Sequence, residues 1–186
     1  MTALVIGSSA GGPVALRHLL TRLSPHFRGA IIVVSHLGQG GGNLLSEGLR
    51  HVCTLPVRVA IEREAIEAGV IHVAPEGYHL LIEFNRHFSY SIDERVSFSR
   101  PSIDVLFASA AKVYRTGLTG IVLSGANSDG AEGLRTIRHF GGRALVQDPH
   151  EAEMPTMPLA AISHAGCDLC APVAELAEYI NSNMNV

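Results

Sequence analysis

The chain has 186 residues, which is within the size range of one globular domain, so we expect a single domain over residues 1–186. Its formal net charge is −3, and no basic block offers a binding surface for nucleic acid or an anionic membrane. No apolar run approaches the roughly 18 residues that span a bilayer, which excludes membrane insertion. The chain opens on a strand-like run without a basic, cleavable leader, so we expect a cytoplasmic protein.

The three cysteines are too few and too scattered for a disulfide framework, which suits a reducing compartment. Cys167 and Cys170 form a CxxC pair, and with His51 and Cys53 they could nominally complete a zinc site. A redox CxxC usually opens a helix directly after a strand, whereas Pro172 follows here. We interpret the pair as buried strand cysteines, and we expect no metal and no cofactor.

Apolar runs of strand length alternate with segments of helical period along the chain. This alternation predicts an α/β fold, doubly wound, with a mostly parallel sheet, helices on both faces and a β-hairpin excursion near Asn85. The predicted strands are residues 3–6, 30–34, 57–60, 70–74, 80–84, 88–92, 119–123 and 143–146. The predicted helices are residues 13–20, with Val14 in its apolar stripe, 44–52, 103–114, with Ser102 as N-cap, 131–140, 159–163 and 173–184.

The first strand runs into Gly7-Ser8-Ser9-Ala10-Gly11, which fits the GxSxG pattern between a strand and a helix. Small flanking residues allow a tight turn that exposes the Ser9 hydroxyl as a candidate nucleophile. The backbone N–H groups of Ala10, Gly11 and Gly12 begin the next helix, where such groups lack intrahelical partners and can stabilise an oxyanion.

Two other interpretations of this loop stay open. It could be a glycine turn that only packs a helix against a strand. It could also be a dinucleotide site, because a Rossmann unit opens in the same way. Two details oppose the cofactor: Ser9 replaces the middle glycine of GxGxxG, and the second strand ends in Ser35 and His36 without a ribose-binding acid.

His36 follows the second strand directly, so its imidazole should emerge at the same sheet edge as Ser9 and act as a base. The two side chains should then lie within about 2.6–3.2 Å of each other, or somewhat farther apart without substrate. Asp129 ends a loop before a predicted helix, where it could orient His36 or simply cap the helix. On composition alone Asp104, Asp148 and Asp168 are rivals.

The three loops, in this order, resemble the catalytic domain of the chemotaxis protein-glutamate methylesterase (CheB) family. The resemblance covers residue 3 to about residue 176. The stretches that carry it are VIGSSAGG (5–12), VVSHL (33–37), IHVAPEGYHL (71–80), RPSIDVLFASAA (100–111) and GIVLSGANSDGAEGL (120–134). Five motifs in the same order make a chance match improbable.

The resemblance implies a hydrolase that demethylates glutamyl methyl esters, and deamidates glutamines, on the cytoplasmic helices of methyl-accepting chemotaxis receptors. Ser9 would be the nucleophile, His36 the base and Asp129 its orienting partner, and the N–H groups of the first loop and of Ala126 would receive the oxyanion. The family usually carries an N-terminal receiver domain, so we expect either an excised catalytic domain or a free-standing relative, acting as a monomer.

The family pattern differs from this chain at two places, since threonine commonly follows the nucleophile and methionine-glycine-asparagine precedes the aspartate. The chain has Ala10 and Ala126-Asn127-Ser128 there. Arg100 and the glycines 38–42 are candidates for contacts with the receptor, although an ion pair within the protein is the alternative for Arg100. A second function remains open, that of a non-catalytic CheB-like binding module in a signalling complex.

Overall fold

The computed structural model describes residues 2–37 and 41–184, leaving out the side chains of 41–43. The strands are β1 (Ala3–Ser8), β2 (Ala30–Ser35), β3 (Val57–Val59), β4 (Ile71–Val73), β5 (His79–Ile82), β6 (Phe88–Ser91), β7 (Leu118–Val122), β8 (Arg143–Gln147) and β9 (Leu169–Ala171). The helices are α1 (Gly12–Leu20), α2 (Gly41–Arg50), α3 (Ile103–Tyr114), α4 (Ala131–His139), α5 (Thr156–Ala165) and α6 (Val173–Asn183). A 3₁₀ turn, Arg115–Gly117, follows α3.

Seven of these strands form one sheet in the order β3-β4-β2-β1-β7-β8-β9, and every neighbouring pair is parallel. β5 and β6 pair antiparallel as a separate hairpin. The predicted doubly wound α/β fold with a hairpin excursion is therefore confirmed. Each crossover that leaves the sheet must bury its apolar stripe against one face, which explains why the central strands are buried along their length.

Two apolar cores cover the two faces of the sheet. On one face α3, α4, α5 and the hairpin pack through side chains such as Phe107, Leu134 and Phe88. On the other, α1, α2 and α6 pack through side chains such as Leu16, Leu49 and Ile180. No helix within residues 2–37 and 41–184 is long and apolar enough to cross a membrane.

The topology places the site. The chain winds from β1 through α1 on one face, whereas β7 continues into α4 on the other face. At the carboxyl ends of the neighbouring strands β1 and β7 the chain therefore leaves toward opposite faces of the sheet. An open parallel sheet has its functional crevice at such a topological switch point.

The predicted strands 57–60 and 70–74 are confirmed as β3 and β4, which pair in parallel at one edge of the main sheet. The structure corrects several other local predictions. α2 begins at Gly41, earlier than predicted, so residues 41–42 of the predicted glycine loop 38–42 belong to this helix, and residues 38–40 lie outside the described residues. Val14 was predicted in the buried stripe of α1, but 72% of it is exposed. Cys167 and Cys170 were predicted to be buried strand cysteines, but Cys167 precedes β9 and is half-buried, and Cys170 lies in β9, an edge strand, and is exposed.

Candidate active site

The three predicted catalytic residues follow three neighbouring strands. Ser9 follows β1, His36 follows β2, and Asp129 lies in the loop after β7. β1 and β2 pair up to Ser8 opposite Ser35, and the His36 N–H donates to the Ser8 carbonyl at 3.0 Å. The sheet register therefore brings the candidate nucleophile and base to one edge, side by side.

His36 and Asp129 are in direct contact. His36 Nε2 lies 2.8 Å from Asp129 Oδ2, and the two side chains are 10% and 0% exposed. Because an ionised carboxylate only accepts, His36 donates from Nε2 and the lone pair of the neutral ring lies on Nδ1. Nδ1 is buried and finds no hydrogen-bond partner in the described part of the chain. One ring nitrogen is thus fixed, and the other is available as a base.

Asp129 also receives three donors from the start of α3. Oδ1 accepts from the Ser102 hydroxyl at 2.9 Å and from the Asp104 N–H at 3.0 Å, and Oδ2 accepts from the Ile103 N–H at 2.7 Å. Burial favours a higher pKa for Asp129, but the hydrogen bonds from His36 and from these backbone groups outweigh it and hold the pKa below its ordinary value. The carboxylate stays charged while buried.

The predicted alternatives for Asp129 were capping of the helix that follows it and orientation of His36, and its carboxylate contacts both His36 and the start of a helix. The capped helix is α3, not the α4 that follows Asp129 in the chain, since α4 has Gly130 as N-cap without a side-chain bond. Ser102 is the N-cap of α3, as predicted, and its hydroxyl accepts from the Val105 N–H at 3.4 Å. The rigid end of α3 therefore sets the direction of Asp129.

The rival aspartates have other partners. Asp104 accepts from the N–H groups of Gly130 and Gly133, at 2.9 and 2.6 Å, and so caps α4. Asp148 bonds to His150, and Asp168 accepts from the Ala144 N–H. Among these four carboxylates only Asp129 bonds to His36.

The loop that carries Ser9 is a tight turn closed by the backbone. The Gly12 N–H donates to the Ser9 carbonyl at 2.8 Å, the Ser9 N–H donates to the Ser124 carbonyl at 2.9 Å, and Gly11 takes a φ of +71°. Ser9 is half-buried, and no hydrogen bond joins its hydroxyl to His36 Nδ1. The predicted hydrogen bond between Ser9 and His36 is therefore not formed in this conformation, which holds no substrate.

The backbone donors of this region are partly available. Ala10, Gly11 and Ala126 donate no backbone hydrogen bond within residues 2–37 and 41–184. The expectation of a free donor was wrong for Gly12, because its N–H closes the Ser9 turn. Three of the four predicted oxyanion donors thus remain open, two in the first loop and one in the third.

Sequence reasoning missed the side chains that hold these loops. The buried Ser124 hydroxyl donates to the Ala10 carbonyl at 2.8 Å and accepts from the Met154 N–H at 2.9 Å. The buried His79 accepts at Nδ1 from the Ser102 N–H at 3.2 Å and donates from Nε2 to the Glu94 carbonyl at 3.0 Å. No spacing in the sequence marks either residue, because the contacts join loops that are distant along the chain.

A cavity of about 450 Å³ opens beside His36. Arg100 lines it, but Arg100 Nη1 is occupied by the Ile92 and Asp93 carbonyls at 2.8 and 3.0 Å, and no carboxylate within the described ranges pairs with Arg100. The ion-pair alternative for Arg100 was therefore wrong. As for metals, residues 2–37 and 41–184 hold no group of three or more histidine, cysteine, aspartate or glutamate side chains placed to bind an ion.

Comparison with known proteins gives consistent results. Residues 4–180 match the family described as CheB methylesterase. A protein of Leptospira interrogans named putative protein-glutamate methylesterase/protein-glutamine glutaminase is 46% identical over 95% of this chain and 91% of its own length. A protein of Trichodesmium erythraeum named protein-glutamate methylesterase/protein-glutamine glutaminase is 37% identical over 95% of this chain, which spans only 51% of that relative. The crystal structure of the Thermotoga maritima CheB methylesterase catalytic domain matches with a TM-score of 0.94 and 26% identity, over 97% of both chains.

Proposed function

The chain belongs to the CheB methylesterase family, and on this premise we propose that it hydrolyses glutamyl methyl esters on the cytoplasmic helices of chemotaxis receptors. It also deamidates glutamine side chains there, and it acts in the cytoplasm as a monomer. Ser9 is the nucleophile, His36 the general base and Asp129 the residue that orients His36. The observation that carries this assignment is the 2.8 Å bond between His36 Nε2 and the buried Asp129, which leaves Nδ1 free on the ring beside the Ser9 loop.

In the acylation step the Ser9 oxygen attacks the ester carbonyl while His36 Nδ1 takes the hydroxyl proton. The imidazolium is stabilised by the anionic Asp129. The negative oxygen of the tetrahedral intermediate is received by the N–H groups of Ala10 and Gly11 and by that of Ala126. His36 returns its proton to the leaving oxygen, methanol departs, and an ester joins Ser9 to the receptor glutamyl group.

In the second half His36 Nδ1 takes a proton from a water molecule, whose oxygen attacks the Ser9 ester. Collapse of the intermediate returns the proton to Ser9 and leaves a glutamate side chain. With glutamine the same steps release ammonia in place of methanol. Neither half needs a metal or a cofactor, because the nucleophile, base and oxyanion donors all come from the chain.

The absence of a hydrogen bond between Ser9 and His36 favours a second candidate, a binding module that kept the fold without the chemistry. In such a module Ser9 would not react with a serine-directed phosphonate, and receptor binding would survive His36→Ala. Catalytic hydrogen bonds often form only when substrate is bound, so the absence of this bond does not decide between the two functions.

The test measures methanol release from a methylated receptor fragment by the wild type and by Ser9→Ala. We expect release by the wild type and loss of it in the variant, together with phosphonate labelling that requires both Ser9 and His36. Ser163→Ala is the matched control, because Ser163 is an exposed serine on α5. Equal release by the wild type and Ser9→Ala would end the enzymatic assignment.

A further inference from the structure

A surface groove lies between α1 and α2, next to the candidate active site, with a volume of about 1010 Å³. α1 follows the Ser9 loop, and α2 is the helix that follows β2 and His36. Leu37 and Leu45 line both this groove and the cavity beside His36. The groove is therefore continuous with the surroundings of the catalytic base.

The groove exposes large aliphatic side chains. Val14 is 72% exposed, Leu44 69% and Val52 39%. Leu44 and Gly48 lie four residues apart on one face of α2, and Val52 follows in the turn just after that helix. Single exposed apolar residues are ordinary on a protein surface, whereas a shared groove lined by several of them is typical of an interaction site.

The α1 side of the groove is basic. Arg17, His18 and Arg22 line it, and none of the described lining residues is acidic, although the whole chain carries a formal charge of −3. Within residues 2–37 and 41–184 neither arginine forms a salt bridge. The groove therefore combines an apolar side from α2 with two cations that form no salt bridge, Arg17 on α1 and Arg22 just beyond it, where Arg22 Nη1 donates to the His18 carbonyl at 3.1 Å.

We propose that this groove docks an acidic amphipathic helix, namely the receptor helix whose glutamyl ester enters the site. The inference rests on the proposed function, which requires a helical substrate that carries glutamates. Such a helix lays its apolar face into a groove and places its carboxylates at the rim, where Arg17 and Arg22 meet them. Continuity through Leu37 and Leu45 then brings one side chain of the bound helix to His36.

The reaction itself adds charge to this ligand, because each neutral ester becomes a carboxylate. A helix that already has glutamate beside the reacting position therefore binds more tightly than one that has glutamine there. The difference shrinks as salt is added, since exposed charges are screened. This dependence separates a basic docking groove from a purely apolar one.

The experiment measures binding of a receptor cytoplasmic fragment to the Ser9→Ala protein, so that the result does not depend on turnover. Arg17→Glu and Leu44→Ser each change one exposed groove residue, and we expect each to weaken binding about tenfold. Arg28→Glu is the matched control, because Arg28 is an exposed arginine in the segment before β2 and does not line the groove. With the Ser9-containing protein the same variants should raise the KM for the receptor fragment and leave phosphonate labelling of Ser9 unchanged.

Unchanged binding in both groove variants would overturn the proposal, and so would a loss in Arg28→Glu as large as that in Arg17→Glu. Sedimentation could instead show a dimer that Leu44→Ser dissociates while receptor binding stays intact. That result would assign the groove to a second copy of the chain and would also overturn the proposal. If Leu44→Ser alters labelling, Val14→Ser takes its place. If the wild type shows neither phosphonate labelling nor methanol release, the enzymatic function is refuted. The binding measurement would still show whether the groove docks the receptor helix.

Discussion

The Ser8 hydroxyl donates to the Ser35 hydroxyl at 2.9 Å, across the last paired residues of β1 and β2. This bond and the sheet register tie the two strand ends together at the point where Ser9 and His36 leave the sheet. The separation of the proposed nucleophile and base is therefore set by the backbone of a parallel ladder rather than by the loops alone. Substitutions that shift the backbone under the Ser9 turn should consequently lower the rate of hydrolysis.

Gly12→Ala tests this connection. A Cβ at position 12 would lie 2.5 Å from Ser8 Cβ and 3.2 Å from the Ser124 carbonyl oxygen, so the turn that presents Ser9 must shift. A displacement of about 1 Å at a catalytic group can cost about 10²-fold in rate, and we expect a loss of this order in kcat for methanol release.

The control is Gly48→Ala, because a Cβ there meets nothing within 4 Å, and alanine is favoured over glycine in a helix by about 1 kcal/mol. It should label normally with the phosphonate and unfold at a slightly higher temperature. If the phosphonate labels Ser9 in Gly12→Ala at the wild-type rate, then the position of Ser9 is not set by the paired ends of β1 and β2.

Asp129→Asn changes a residue whose oxygens meet only donors. Wherever the amide nitrogen is placed, it faces either the Ser102 hydroxyl and the Asp104 N–H or His36 Nε2 and the Ile103 N–H. The imidazole loses its anionic partner and its correct tautomer, for which serine protease triads predict a fall of about 10⁴-fold in kcat.

Asp129→Asn should also be less stable than the wild type, because one backbone donor at the start of α3 loses its acceptor. The folded pKa of Asp129 is lowered, so the stability that its charge supplies is present above the ordinary aspartate pKa and is lost as pH falls through the folded value. Urea unfolding of both proteins at pH 7 and pH 3 should show the difference narrowing at low pH. A mild loss of kcat together with a large loss of stability would instead assign Asp129 to capping alone.

Ser124→Ala tests the connection between the first and third loops. The variant leaves the Ala10 carbonyl and the Met154 N–H without their hydroxyl partner, which should lower the free energy of unfolding by about 1–3 kcal/mol. Because Ala10 is a proposed oxyanion donor, kcat should fall while the KM for the receptor fragment stays near its wild-type value. A raised KM with unchanged kcat would place Ser124 in substrate binding instead.

The fold could be predicted from the sequence because the apolar residues form short continuous runs in buried parallel strands and recur with helical period in amphipathic helices. The strand ends then placed Ser9 and His36 at one edge, since β1 and β2 are the first two strands of the winding. The family resemblance, not the period, singled out Asp129 among the aspartates. Patterns failed where exposure depends on distant packing, as for Val14, which has the spacing of a core residue yet lies in the groove beside α2.

No local pattern indicated that the two helix caps are exchanged. Asp129 precedes α4 but caps α3, whereas Asp104 lies in the first turn of α3 and caps α4. Local capping rules consider only neighbours along the chain, so they assign each aspartate to the wrong helix. The exchange arises because the N-termini of α3 and α4 lie next to each other, so each aspartate reaches the backbone N–H groups of the other helix.

Because of this exchange, the ionisation of Asp104 should make the free energy of unfolding depend on pH. Burial, together with the nearby charge of Asp129, raises the pKa of Asp104 from an ordinary 3.8 to about 6, against the hydrogen bonds from Gly133 and Gly130. The folded state therefore holds this proton more tightly than the unfolded state. The free energy of unfolding should fall as pH rises from about 4 to above 6, and Asp104 then costs stability at neutral pH.

Asp104→Asn should remove this cost, because the amide oxygen can accept from both Gly130 and Gly133 as Oδ1 does, without a titratable proton. Relative to the wild type, the variant should gain on the order of 1 kcal/mol between pH 4 and pH 7, after allowance for solvent screening of a partly exposed group. Urea unfolding at both pH values measures the gain, and Asp93→Asn, at an exposed aspartate, supplies the control. A stability difference between Asp104→Asn and the wild type that is the same at pH 4 and pH 7 would show that Asp104 does not titrate in this range.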